Sequence, residues 1–100
     1  MISKGYLENF LIDINSVKAR LHEEDWEFQI WPIDKLNKWN VEYNVEDAIP
    51  GYYAFGSDGG LEMLIIELST GIIYSIPFIP MEITERIKVS ESLEELVNRK

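Results

Sequence analysis

Apolar residues in this chain recur first at helical spacing and then in alternation. Tyr6, Leu7, Phe10, Leu11 and Ile14 lie three or four positions apart, which predicts an amphipathic helix over Tyr6–Ile14. Asn15-Ser16 breaks it. Val17, Ala19 and Leu21 then alternate with Lys18, Arg20 and His22, the pattern of a half-buried strand. His22-Glu23-Glu24-Asp25 reads as a charged turn, and Trp26, Phe28 and Ile30 repeat the alternation on a returning strand. Trp31-Pro32 ends that strand. Proline tolerates the first helical position and Asp34 places negative charge in the first turn, so a second helix is expected here. Ile33, Leu36, Trp39 and Tyr43 form its expected buried stripe, and Asn44 to Ile49 a connecting loop carrying Glu46 and Asp47.

The second half is punctuated by glycine. A hydrophobic strand is entered through Pro50-Gly51 and left through Asp58-Gly59-Gly60. Leu61 to Leu68 follows, with charge only near its ends and Met63-Leu64-Ile65-Ile66 apolar on both faces, as suits a covered central strand. Ser69-Thr70-Gly71 turns the chain into a third strand, where Ile72, Tyr74 and Ile76 share a face and Ser75 lies opposite. Pro77 and Pro80 mark where regular pairing stops. Ile87 and Val89 suggest a short last strand. Ser92-Leu93-Glu94-Glu95 is a capping box that opens a terminal helix with Leu93, Leu96 and Val97 as its contact stripe. The order of elements predicts an α+β domain, an antiparallel β-meander with flanking helices.

One hundred residues suit a single domain, and 46% hydrophobic composition argues for a packed core. Zero cysteines exclude disulfides, a thiol nucleophile and a thiolate zinc site. Apolar runs stay far below the ~18 residues of a membrane span, and the first residues lack a secretory segment, so a soluble cytoplasmic protein is the expectation.

Charge sharpens the picture. Eighteen acids against nine bases give −9, which disfavours nucleic acid as a direct partner. No Lys or Arg occurs from Trp39 to Glu85, a stretch holding Glu42, Glu46, Asp47, Asp58, Glu62, Glu67, Glu82 and Glu85. If those acids share a face they create an extended negative field; scattered, they serve solubility. Glu42, Glu46, Asp47, Asp58 and Glu62 fall in loops or at element ends, where side chains reach a partner. Trp31 and Tyr52 fall on the opposite parity from the apolar set of their strands. Exposed, they would be interface anchors; under a helix, they belong to a second packed layer.

Catalytic constellations are missing from the pattern. His22, the one histidine, sits at a strand end among charged neighbours and reads as a solvated residue. Asp58-Gly59-Gly60 feeds a strand rather than a helix and has no nearby base, so it is a turn and not a phosphate cradle. Paired carboxylates for glycoside hydrolysis have no evident cleft in a domain this small. No enzyme, cofactor or metal is expected.

The wording of the chain is more specific than its periodicity. Trp31-Pro32-Ile33-Asp34-Lys35-Leu36, Pro50-Gly51, Phe55-Gly56-Ser57-Asp58-Gly59-Gly60, Thr70-Gly71 and Ser92-Leu93-Glu94-Glu95, in this order and spacing, resemble the SUKH superfamily. The resemblance covers Phe28 to about Leu96. It departs at the front, where family members carry a longer helical region ending in Asn-Gly. Tyr6, Phe10, Leu11 and Asn15-Ser16 stand in the corresponding places. The family includes yeast cell-wall synthesis regulators and many bacterial immunity proteins against secreted toxins. The resemblance therefore implies one SUKH-like domain over residues 1–100, with a shortened N-terminal helical region. It further implies a non-catalytic immunity protein that binds a toxin with a basic surface, or alternatively a regulatory or scaffold domain that binds a host protein.

Overall fold

Met63, Leu64, Ile65 and Ile66 are fully buried at the centre of a five-stranded antiparallel sheet. The computed structural model describes residues 3, 5–7, 9, 29–57 and 61–98. Its strands are β1 (Gln29–Ile30), β2 (Tyr52–Ser57), β3 (Glu62–Glu67), β4 (Ile73–Pro77) and β5 (Ile87–Ser90), side by side in chain order. Helices are α1 (Leu36–Glu42), α2 (Val45–Ala48) and α3 (Leu93–Asn98), and Gly5, Tyr6, Leu7 and Asn9 are helical near the N-terminus. The expected α+β meander is the observed fold. The predicted strand from Ser16 to Leu21, the turn with His22, Trp26 to Phe28 and the Asp58-Gly59-Gly60 turn lie outside the described residues.

Register explains why β3 is apolar on both faces. Directly paired residues point the same way, so Ala54, Ile65 and Tyr74 share one face with Met63 and Ile76. Tyr53, Ile66, Ile73, Leu64 and Ser75 share the other. Both sides are covered: all ten of these residues, Met63 to Ile66, Ile73 to Ile76, Tyr53 and Ala54, are buried. Ser75, on the face opposite Tyr74 and Ile76 as expected, is buried as well. The alternation in β4 marks two packed layers, not a wet face.

Turn chemistry joins the strands. Gly71 adopts φ 83°, a conformation natural to glycine, and its N–H donates to the Glu67 carbonyl at 2.7 Å. The Thr70 hydroxyl donates to Glu67 Oε1 at 2.7 Å and accepts from the Ile72 N–H at 3.2 Å. Gly51, at φ 88°, turns the chain into β2 and accepts from the Leu68 N–H at 2.9 Å. At α3 the Ser92 hydroxyl accepts from the Glu95 N–H at 3.1 Å, as the capping box requires. The Ser92 N–H turns instead to the Ser90 hydroxyl, so the reciprocal half of the box is replaced by its neighbour.

The second helix differs from its prediction. Ile33–Lys35 forms a 3-10 turn, and α-helical geometry begins only at Leu36. Leu36 is buried, Trp39 is half-buried and Tyr43 is 46% exposed, whereas Asn40 is buried in its place on the inner side. The helix ends at Glu42 with Tyr43 as its cap, and Asn44 beyond it takes left-handed geometry at φ 55°. The predicted loop from Asn44 to Ile49 contains α2, anchored by buried Val45 and Ile49.

Asn40 has a structural task that its polarity concealed. Its Nδ2 donates to the Ala54 carbonyl at 2.8 Å, and its Oδ1 accepts from the Ala54 N–H at 2.9 Å. The carboxamide thus stands in for a neighbouring peptide along β2, where β1 pairs only with Gly56 and Ser57. A register shift between Ala54 and Gly56 marks the same place, and the Phe55 carbonyl there accepts from the Trp31 N–H at 2.9 Å.

Candidate functional site

The surface built on α1, α2 and the segment after β4 gathers the aromatic and acidic residues. Tyr43 reaches Phe78, with ring centroids 5.0 Å apart, and Trp31, at 6.1 Å. Trp31 and Trp39 meet edge to face at 5.1 Å and 87°. These rings wall an open groove of about 550 Å³ whose lining includes Glu42, Ile79 and Met81. Ile79 is 90% exposed at its rim. The aromatic side of α1 faces this groove.

On its other side α1 presents Asn37, Asn40 and Val41, with Asn44 just beyond its end, to a second hollow that also contains Glu46 and Asp47. A third hollow runs from Ala48, Ile49 and Pro50 to Glu82, Ile83 and Thr84. Tyr52 is common to the second and third hollows, and Met81 to the first and third. Glu42, Glu46, Asp47 and Glu82 therefore line adjoining depressions around the α1–α2 corner. All four are exposed, and none makes an ion pair among the described residues, where the pair formed is Lys88–Glu91.

The other predicted positions divide. Asp58 lies outside the described residues. Glu62 is half-buried at the first residue of β3, opposite Pro77, and lines none of the three hollows. Trp31 and Tyr52 are 6% and 7% exposed, so neither stands free as an anchor. Their parity marked a second packed layer: Trp31 lies against Trp39 and donates its indole N–H to the Ser57 hydroxyl at 3.2 Å, while Tyr52 lies 6.1 Å from Tyr74. Sequence reasoning named Glu82 among the acids of the basic-free stretch without singling it out, and missed the aromatic set of Trp39, Tyr43 and Phe78. Glu82 was visible within the basic-free stretch, but its nearness to α2 depends on the long return of the chain.

Glu67 belongs to the interior chemistry. Its Oε2 accepts from the Tyr52 hydroxyl at 3.0 Å and its Oε1 from Thr70. Burial, with the accepting carboxylate second, pushes the Tyr52 phenol up to about 12. A native pKa above the ordinary value near 10 means that the folded state binds this proton more tightly. The stabilisation is present in full below about pH 10 and is lost as pH rises through about 12. Phenolate absorbance should show late-ionising tyrosine, and Tyr52→Phe should reduce that late step by one phenol. An unchanged titration in the variant would show that another tyrosine carries it.

Chemically, the surface offers rings, carboxamides and carboxylates. No group of three or more His, Cys, Asp or Glu residues able to hold a metal ion occurs among the described residues. His22 lies outside them. No helix among the described residues is long and apolar enough to cross a membrane. No family model matches the chain, and no curated protein matches it.

Proposed function

We propose that this domain is a non-catalytic immunity protein that binds a basic toxin surface through the α1–α2 corner. The observation that carries the reading is the placement of Glu42, Glu46, Asp47 and Glu82 around adjoining hollows beside an aromatic groove. These residues come from a stretch without a single Lys or Arg. The resemblance to SUKH immunity proteins supports it independently of the charge.

The mechanism divides labour between field and contact. Exposed carboxylates draw a basic partner in and orient it, which raises the association rate. Aromatic and aliphatic side chains then exclude water and slow dissociation. A nuclease toxin suits this surface, because a site that holds phosphates is basic and an acidic inhibitor competes for it.

The test is the rate of association with the partner recovered from the source cell, measured across ionic strength. The rate is expected to fall steeply with salt. Changing Glu46 and Asp47 together to Lys should slow association by about tenfold or more and affect dissociation less. Both residues are exposed, so thermal stability should stay near wild type. A neutral or acidic contact surface on the partner, or an association rate indifferent to salt, would refute the electrostatic reading.

A further inference from the structure

We propose that the groove between α1 and the Phe78–Met81 segment receives an arginine side chain from the partner, with Glu42 as its counter-charge. This rests on the reading of the domain as a binder of basic protein surfaces and says which chemical group enters, and where. Three observations support it. Rings of Trp31, Trp39, Tyr43 and Phe78 surround the groove, and aromatic faces attract cations. Glu42 lines the same groove, exposed and without an ion pair among the described residues. Among the described residues no cation lines it: none occurs in the sequence between Trp39 and Glu85, and Lys38, one turn before Glu42, forms no ion pair with it.

The next base in the chain shows the same chemistry already in use. Arg86 lies 4.6 Å from the centre of the Tyr74 ring and donates to the Ile83 carbonyl at 3.3 Å. It is thereby committed elsewhere on the domain. An incoming arginine suits the groove better than lysine does. Its planar guanidinium stacks on rings and sheds water more readily than an ammonium, while its fork of donors matches a carboxylate. Its aliphatic stem would lie along Ile79 and Met81, which are apolar and accessible. An anion would meet Glu42 and is excluded; a neutral apolar side chain would fit the walls but gain nothing from the carboxylate.

The experiment titrates the folded domain with acetyl-Leu-Arg-Leu-amide and, separately, with the neutral isostere in which citrulline replaces arginine. Indole N–H signals of Trp31 and Trp39 are followed by NMR. The arginine peptide should shift both signals in a saturable way, and the citrulline peptide should bind about fivefold or more weakly. Glu42→Gln should weaken the arginine peptide by about threefold or more and leave the citrulline peptide unchanged. Circular dichroism of the variant checks that the fold is intact. Equal binding of the two peptides, no shift up to about 10 mM, or indifference to Glu42→Gln would overturn the assignment. Those failures are separable from failure of the broader reading. If the peptides fail while partner association still depends on salt and on Glu46 and Asp47, only the arginine site falls. If partner association is indifferent to salt, the acidic-surface reading falls with it.

Discussion

Replacing Ile65 with Asp is expected to abolish folding of the domain. Ile65 has no exposed surface and sits in the central strand, paired with Ala54 on β2 and Tyr74 on β4. Its neighbours along β3 are buried too, so a carboxylate there has neither water nor a cation to meet. An isolated ionised group in such a site costs several kcal/mol after the protein relaxes, and loss of the apolar side chain adds about 2 to 5. Together these match or exceed a total stability of about 5 to 15 kcal/mol for a domain. Ile65→Val, which removes one methylene, should cost only about 0.5 to 1.5 kcal/mol. Thermal and urea unfolding followed by circular dichroism would check both. A cooperative melt of the Asp variant at the wild-type temperature would disprove the central placement of β3.

Where sequence pattern succeeded, local signals and tertiary environment agreed. The apolar run Met63–Ile66 and the glycines at 51 and 71 each specify a strand or a turn without help from distant residues. The expected central strand and its neighbours appear where glycine and proline punctuate the chain, and the short last strand appears at Ile87–Ser90. Pattern failed where a residue's partner is remote in sequence. Alternation sets Ser75 opposite Tyr74 and Ile76 but does not show that a second layer covers it. Parity left Trp31 and Tyr52 open between exposure and a second packed layer, and both are enclosed. Asn44 to Ile49 has loop composition, but Asn44 accepts left-handed geometry and Val45 and Ile49 anchor a short helix.

The candidate site was half legible for the same reason. Charge is readable as a string: the basic-free stretch singles out Glu42, Glu46 and Asp47, and the fold sets these near one corner. The aromatic groove was not readable. Helical periodicity placed Trp39 and Tyr43 on a buried stripe, because spacing alone does not show where a helix is stopped or what lies beside it. Phe78 and Met81 reach the groove only because the chain leaves β4 and returns across the face that carries α1.

Asn40→Leu is expected to destabilise the domain by about 2 to 5 kcal/mol, although it exchanges a polar residue for an apolar one in a buried place. Burial of apolar surface would ordinarily favour such a change. Here the carboxamide holds both the N–H and the carbonyl of Ala54, and its Nδ2 also donates to the Leu36 carbonyl at 2.8 Å. Leucine leaves the Ala54 groups without these partners in a buried strand, and each such loss costs about 1 to 3 kcal/mol. The two elements tied by this side chain are α1 and β2, so the loss should spread to the α1–α2 corner. Asn40→Asp separates geometry from polarity. It retains an acceptor for the Ala54 N–H but turns the donor into an oxygen facing two carbonyls. The new carboxyl group is therefore favoured in its protonated form, and its native pKa should rise above the ordinary value near 4. Native binding of that proton is then tighter than in the unfolded chain, so stability falls as pH rises through the shifted pKa. Relative to wild type, the Asp variant should be least impaired near pH 4 and most impaired at neutral pH. Urea unfolding at both pH values checks this, with hydrogen exchange at the Ala54 amide as the local readout. Leucine within about 0.5 kcal/mol of wild type, or an Ala54 amide still as protected as before, would show that β2 does not depend on this side chain.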